Sequence, residues 1–258
     1  MRLGVSYNLF DAEELLEGSI KQIRQHVDYI SVVYQTVSNF GNPCSPDLIP
    51  LLERLKSEGL IDELFEYSPK INKGGHFNEI QKRNIGLALS QGAGCTHHMS
   101  MDSDEYYLST QFKYLKDKII EGDYDSSYCQ MKTYFKKPTF EVIPPNNYYV
   151  SLIFKIKTDS NYILGYPSPV LVDPTRRMNC DDKPLILYRS EIEMFHMSYV
   201  RKDIKSKLIN SSSKDAFQNV NEFIKMFENY KLGETFFTTT PPGNEKTLLV
   251  DNIFNIEI

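Results

Sequence analysis

A chain of 258 residues, 41% hydrophobic and 24% charged, is long enough to bury a sizeable core and too apolar for wholesale disorder, so one large domain is expected. The formal net charge of -5 argues against a broad nucleic-acid surface, which depends on clustered Lys and Arg. Cys44, Cys95, Cys129 and Cys180 form no CxxC pair, the N-terminus lacks the apolar run of a signal peptide, and no stretch of ~20 apolar residues occurs; together these predict reduced thiols, a cytoplasmic location and at most peripheral membrane attachment.

Residues 2–7 are apolar and β-prone, 12–25 place Leu15, Leu16, Ile20 and Ile23 near the 3.6 period of a helix, and 27–34 read as a second, nearly continuous apolar strand. Strand, helix and strand in that order make a βαβ unit with parallel pairing. Ser6, Tyr7, Asn8, Tyr34 and Gln35 then fall at the C-terminal edge, where parallel sheets gather ligands. Gly41, Asn42 and Pro43 mark a loop, 46–59 a helix with Leu48, Leu51, Leu52 and Leu55 inward and Gly59 as its stop, and 61–67 a third strand. Gly74-Gly75 predict a flexible loop over 70–77, including His76, ahead of a helix over 78–91. Lys82 and Arg83 are neighbours on that helix and so point ~100° apart, which predicts that they do not share a partner.

Residues 96–102 form a strand that sends His97 and His98 to opposite faces, both read as packed core histidines, and ends in Asp102-Ser103-Asp104-Glu105. A helix over 107–121 buries Phe112, Leu115, Ile119 and Ile120, and Gly122-Asp123 end it. Two further strands are expected over 124–135 and 148–157, on either side of Pro144-Pro145-Asn146-Asn147; their tyrosines suit sugar stacking or plain sheet packing. Tyr166-Pro167-Ser168-Pro169 lead into the strand-like Val170-Leu171-Val172, followed by Asp173 and the adjacent Arg176 and Arg177, which suit an anion or an exposed turn. A helix over 199–209, a break at 210–213, an amphipathic helix over 214–230, a Pro-Gly loop over 238–244 and a final strand over 248–258 complete the chain. The sequence sets no oligomeric state.

Asp102 and Asp104 lie on one face of an extended backbone, where two anions repel unless a cation lies between them. Mg2+ or Mn2+ would serve, because hard cations prefer carboxylate oxygens and can hold substrate phosphates as well. The same residues also suit a turn that caps the helix beginning near Leu108.

Asp102-Ser103-Asp104 resembles the DXD motif of nucleotide-sugar-dependent glycosyltransferases with the GT-A fold, of the family 2 kind. The resemblance extends to Val5-Ser6-Tyr7-Asn8 with Glu13-Glu14-Leu15-Leu16, to Asn78-Glu79-Ile80-Gln81-Lys82-Arg83-Asn84-Ile85-Gly86-Leu87, and to Phe195-His196-Met197-Ser198, over about residues 5–201. It implies an α/β fold, a GT-A type Rossmann-like mixed sheet flanked by helices. Residues 1–107 would form the nucleotide-sugar half, 108–210 the acceptor half and 211–258 a C-terminal helical extension. The implied activity is metal-dependent transfer of a sugar from a nucleotide-diphosphate sugar to a saccharide hydroxyl, in a setting such as polysaccharide biosynthesis.

By the same resemblance Asp104 binds the Mn2+ or Mg2+, Asp102 binds the ribose or a metal-bound water, and His196 completes the metal site. Ser6, Tyr7, Asn8, Gln35 and Ser103 join the nucleotide contacts, Arg83 takes the pyrophosphate or base, and Arg201 and Lys205 face the phosphates. Asp173 would be the base that removes the acceptor proton, with Asp181 and Asp182 as competitors. Gln35 departs from the pattern, since many relatives carry an acid after the second strand. Two other functions remain open at this level: a nucleotidyltransferase acting on sugar phosphates, and a non-catalytic carbohydrate-binding module.

Overall fold

The computed structural model describes residues 1–165, 169–179, 182–211, 219–238 and 244–258. The turn at Tyr166-Pro167-Ser168, Cys180, Asp181, the start of the helix expected from 214 and most of the 238–244 loop lie outside the described residues.

A five-stranded sheet organises the first half. It contains β1 (Leu3–Leu9), β2 (Tyr29–Tyr34), β3 (Glu63–Glu66), β4 (His97–Asp102) and β9 (Ile153–Lys155) in the order β3-β2-β1-β4-β9, parallel except for β9. The helices α1 (Glu13–Ile23), α2 (Leu48–Ser57), α3 (Gly75–Gly92) and α4 (Ser109–Gly122) flank it, giving the mixed α/β architecture expected from the sequence.

Side-chain alternation decides what each face of this sheet meets. Leu3, Val5, Tyr7 and Leu9 of β1, with Ile30, Val32, Met99 and Met101, pack against Leu16 and Ile20 of α1, Leu52 of α2 and Phe112 of α4. The opposite face of β1 and β4 carries Gly4, Ser6 and Asn8 paired with His98, Ser100 and Asp102. These small and polar residues admit α3 at close range. A Cβ added at Gly86 would lie 2.1 Å from Ser6 Oγ, so the helix backbone sits almost directly on the strand.

His98 is buried on this face, its Nδ1 2.8 Å from Ser90 Oγ. Burial, and secondarily the Arg83 guanidinium, push its pKa down to about 3. An unfolded histidine takes up a proton below about pH 6.5 while the buried one does not, so stability falls as pH drops from there towards 3. From this group alone the expected loss between pH 8 and pH 5 is about 2 kcal/mol. Urea midpoints at the two pH values should show it, and His98→Asn should reduce the difference.

The second sheet is built on β6 (Ser126–Phe135), in the order β14-β7-β6-β13-β5, with β8 (Tyr149–Ser151) and β12 (Pro184–Ile186) also paired to β6. Its other members are β5 (Glu105–Tyr106), β7 (Phe140–Ile143), β13 (Glu193–Tyr199) and β14 (Lys246–Leu249). A two-stranded ribbon, β10 (Tyr162–Ile163) with β11 (Arg177–Met178), lies apart. The helices α5 (Ile204–Asn210) and α6 (Val220–Asn229) pack Leu208, Phe223 and Phe227 onto Phe135 and Val142.

Several expected elements differ. The strand over 148–157 is two strands, β8 pairing with β6 and β9 with β4, because the chain crosses from one sheet to the other at Leu152. The helix of 78–91 begins earlier, at Gly75, so His76 is helical; Asn78 Nδ2 ties the first turn to Gly74 O at 2.8 Å. No strand forms over 170–172. The helix expected from 199 begins at Ile204, since Tyr199 belongs to β13 and Asp203 caps the helix through Ser206 N. β5, β7 and β13 were not legible as strands, and the last strand is confined to β14 while Phe254 and Ile256 pack beside Tyr106 and Phe195.

Candidate active site

The C-terminal ends of β1 and β4 open into a cleft of about 1050 Å³. Asn8, Asp11, Glu79, Lys82, Arg83, Asp102, Ser103, Asp104, Glu105, Asp173, Arg176, His196, Arg201 and Lys207 line it, with Thr133, Asn146, Asn147, Tyr148, Tyr149, Asn244 and Glu245 among the other lining residues.

The acidic turn joins the two sheets. Asp102 ends β4, and after Ser103 and Asp104 the chain enters β5, where Glu105 pairs with His196 and Tyr106 with Phe195 of β13. The Met197 amide also donates to Asp104 O at 2.8 Å. Backbone pairing therefore brings residues 104 and 196 together across the long intervening sequence.

Guanidinium groups neutralise these acids. Arg176, at the end of a 3-10 turn over Pro174–Arg176, donates through Nη2 to Asp102 Oδ2 at 2.6 Å and to Glu105 Oε1. Arg83 of α3 donates through Nη1 to Ser100 Oγ at 2.7 Å, and its Nη2 lies 3.6 Å from Asp102 Oδ1. Ser100 Oγ also accepts from Asn8 Nδ2 at 3.1 Å. On the other side of the turn, Arg201 donates through Nη2 to Asp104 Oδ2, and the same oxygen lies 3.7 Å from Lys207 Nζ and 3.6 Å from His196 Nε2. Arg201 Nη1 lies 3.6 Å from Asp11 Oδ1, and its Nε donates to Ser198 O at 3.0 Å.

These contacts set the charge states. Burial would raise the Asp102 carboxyl, but Arg176 and Arg83 outweigh it and hold the group below its ordinary range. Burial is likewise outweighed at Asp104, by Arg201, His196 and Lys207. Glu105 is the exception: burial, opposed by Arg176, pushes it up to about 7. Burial, with Arg201 next, lowers Lys207.

Among the described residues, several buried polar atoms of the cleft residues have no hydrogen-bond partner: Asn8 Oδ1, Arg83 Nε, Glu105 Oε2 and Arg176 Nη1. Arg83 and Arg176 keep only 2% and 7% of their side-chain surface exposed, so these donors have little access to water. An unmet buried donor costs about 1–3 kcal/mol, more on a charged group, so an acceptor that reaches one of these atoms through a small side-chain shift is favoured.

Of the expected residues, the structure brings Asn8, Arg83, Asp102, Ser103, Asp104, Asp173, His196 and Arg201 to the cleft. Ser6 and Tyr7 do not line it: Ser6 lies beneath Gly86, and Tyr7 points to the opposite, apolar face, its hydroxyl 3.0 Å from Ser19 Oγ. Gln35 is also turned away, donating to Val37 O and Asn39 Oδ1 within its own loop. Lys82 and Arg83 both line the cleft but keep different partners, as their angular separation predicts: Lys82 reaches Glu79 Oε1 at 3.0 Å, while Arg83 turns to Ser100 and Asp102. Lys205 is exposed, and Lys207 takes the position expected for it because α5 starts later. Asp173 accepts at Oδ1 from Thr175 N and Oγ1, at 2.7 and 2.6 Å. Asp182 pairs with Lys157 at 2.8 Å and is not among the cleft residues. Glu105, Arg176 as the bridging cation, and Lys207 were missed; an acid followed by two tyrosines, Tyr106 and Tyr107, is the only local signal for the first of these.

The residues present do not fit the divalent metal that the resemblance implies. Asp104 Oδ2 already serves Arg201 and lies near Lys207, so a dication on that carboxylate would face two cations. Asp102 Oδ2 is held by Arg176, and among the described residues no group of three or more His, Cys, Asp or Glu converges as a metal site.

No family model matches the chain, and no curated protein matches it. Among solved structures it is similar to S. aureus TarS 1-349 in complex with UDP-GlcNAc, at 16% identity and a TM-score of 0.48 over 89% of this chain and 73% of that one. The same protein in complex with UDP gives 14% identity and a TM-score of 0.49 over 89% and 72%. GalNAc-T7 with UDP, GalNAc and Mn2+ gives 14% and 0.48 over 86% of this chain and 48% of that chain. Against another crystal structure of S. aureus TarS the chain spans 42% of the matched chain's length. Likeness at this level assigns no substrate and no residue role to the chain. Among the described residues, no helix is long and apolar enough to cross a membrane.

Proposed function

We propose that this chain is a glycosyltransferase of the GT-A type that moves a sugar from a nucleotide-diphosphate sugar to a hydroxyl of a saccharide acceptor. The observation that carries the reading is the pair of buried guanidiniums, Arg83 and Arg176, each with an unmet donor, in the wall of a cleft at the C-terminal ends of parallel strands. Planar, permanently charged donors of this kind suit phosphate oxygens. Asn8 and Ser103 add polar groups to the same cleft, and Asn146, Asn147, Tyr148 and Tyr149 also line it, an amide and aromatic surface of the kind that a neutral sugar would meet.

In transfer, the acceptor hydroxyl oxygen forms a bond to the anomeric carbon while the bond from that carbon to the diphosphate oxygen breaks. The electron pair leaves with the diphosphate, where the arginines stabilise the developing charge, and the hydroxyl proton passes to Asp173. That assignment makes the reaction inverting. A cytoplasmic setting, with Cys44, Cys95 and Cys129 as free thiols, and a role in polysaccharide assembly complete the proposal.

Melting the protein with a panel of UDP, GDP, ADP, CDP and dTDP tests the donor site. One nucleotide should raise Tm at 100 times its Kd by the equivalent of about 2.7 kcal/mol, and Arg83→Met should abolish the rise. A panel without any shift would instead favour a carbohydrate-binding module.

A further inference from the structure

We propose that Arg201 and Lys207, facing Arg176 and Arg83 across the acidic turn, supply the positive charge that a divalent ion would otherwise place on the donor diphosphate. This rests on the glycosyltransferase reading above and predicts that donor binding and sugar transfer proceed in the presence of a chelator.

The turn is built to hold cations. Arg201 is buried, with its guanidinium fixed by Asp104, Asp11 and the Ser198 carbonyl. Lys207 comes from α5 to the same Asp104 oxygen, at 3.7 Å. On the far side of the turn Arg176 bridges Asp102 and Glu105 and still carries an unpartnered, buried Nη1. The carboxylates thus act as positioning residues: they keep long, flexible side chains in fixed places at the cleft wall. Lys207 Nζ, on a side chain still 23% exposed and 3.7 Å from Asp104 Oδ2, is the cation of this group open to a phosphate oxygen in the cleft, and Arg201 fixes the Asp104 carboxylate that positions it. The chemistry of transfer is unchanged, since the electron pair of the broken carbon–oxygen bond still ends on the diphosphate. Only the group that offsets its charge differs.

The test is titration calorimetry of the full chain with the nucleoside diphosphate found in the melting panel, in EDTA and again with Mn2+, for the wild type, Lys207→Gln and Arg201→Lys. The expected result is the same Kd in EDTA and Mn2+, weakened about 10-fold in Lys207→Gln and not restored by Mn2+, because a charge-assisted contact is lost. Lys207 is half-buried and its replacement keeps a polar group, so this variant should fold even if Arg201→Lys does not. Binding that appears only with Mn2+, or a Lys207→Gln variant that binds as the wild type does, would overturn the clamp while leaving the donor site intact. Absence of binding by every diphosphate, with and without Mn2+, would overturn the donor reading and the clamp together.

Discussion

Gly86→Ala should destabilise the protein by about 3 kcal/mol, at the upper end of overpacking changes, and lower Tm by roughly 6 °C. The new methyl carbon would lie 2.1 Å from Ser6 Oγ and 2.4 Å from Ser6 Cβ. Neither can step aside, because Ser6 is in the middle of β1 with β2 and β4 paired on its two sides. The helix would have to lift. Arg83 lies about one turn earlier on the same helix, so nucleotide binding should weaken along with stability. Ser6→Gly in the Gly86→Ala background removes the opposing carbon and should recover most of the loss, although glycine weakens a strand by itself. Urea denaturation of the two single variants and the double variant measures that coupling. Additive losses would mean that the close approach of α3 to β1 is not what limits this position.

The second large effect is on catalysis. Asp173→Asn should lower turnover by about 10²–10⁴, the usual contribution of a positioned general base, with the Kd for the nucleoside diphosphate unchanged. Asn retains an oxygen that can accept from Thr175, so the 3-10 turn that presents Arg176 should survive the substitution. Asp173 is exposed in the cleft, and among the described residues its second oxygen makes no hydrogen bond, so it is free to receive a proton. Steady-state kinetics beside calorimetry separate the two readouts. A drop in binding equal to the drop in turnover would assign Asp173 to structure and move the search for the base elsewhere in the cleft.

The parts of the site that could be read from the sequence are those set by local order. Strand-end polar residues on one face of a βαβ unit place Asn8 and Asp102, and a helix before β4 places Arg83. Tyr7 was misplaced because a sheet covered on both faces gives few cues to which alternate residues face which layer. Gln35 was misplaced because its side chain is taken up by its own loop, a choice that the type of residue does not reveal. The Arg176 bridge and Lys207 depend on pairings between segments far apart in the chain. Their local sequences are an Arg-Arg pair and one lysine in a short helix, patterns common on any surface. The hidden strand β13 explains the rest: without its register, the proximity of His196 to Asp104 is an assumption of resemblance, and with it the two backbones are brought together by hydrogen bonding, leaving His196 Nε2 3.6 Å from Asp104 Oδ2.

That register leaves position 196 unusual among the residues of the cleft. Its backbone is held between β5 and β6, while its side chain keeps 26% of its surface open. Place and chemistry are therefore separable there. A small environment-sensitive fluorophore attached at a cysteine introduced at this position would stand beside the acidic turn, where Arg201 and Lys207 still hold Asp104, and its emission would follow ligand arrival in real time.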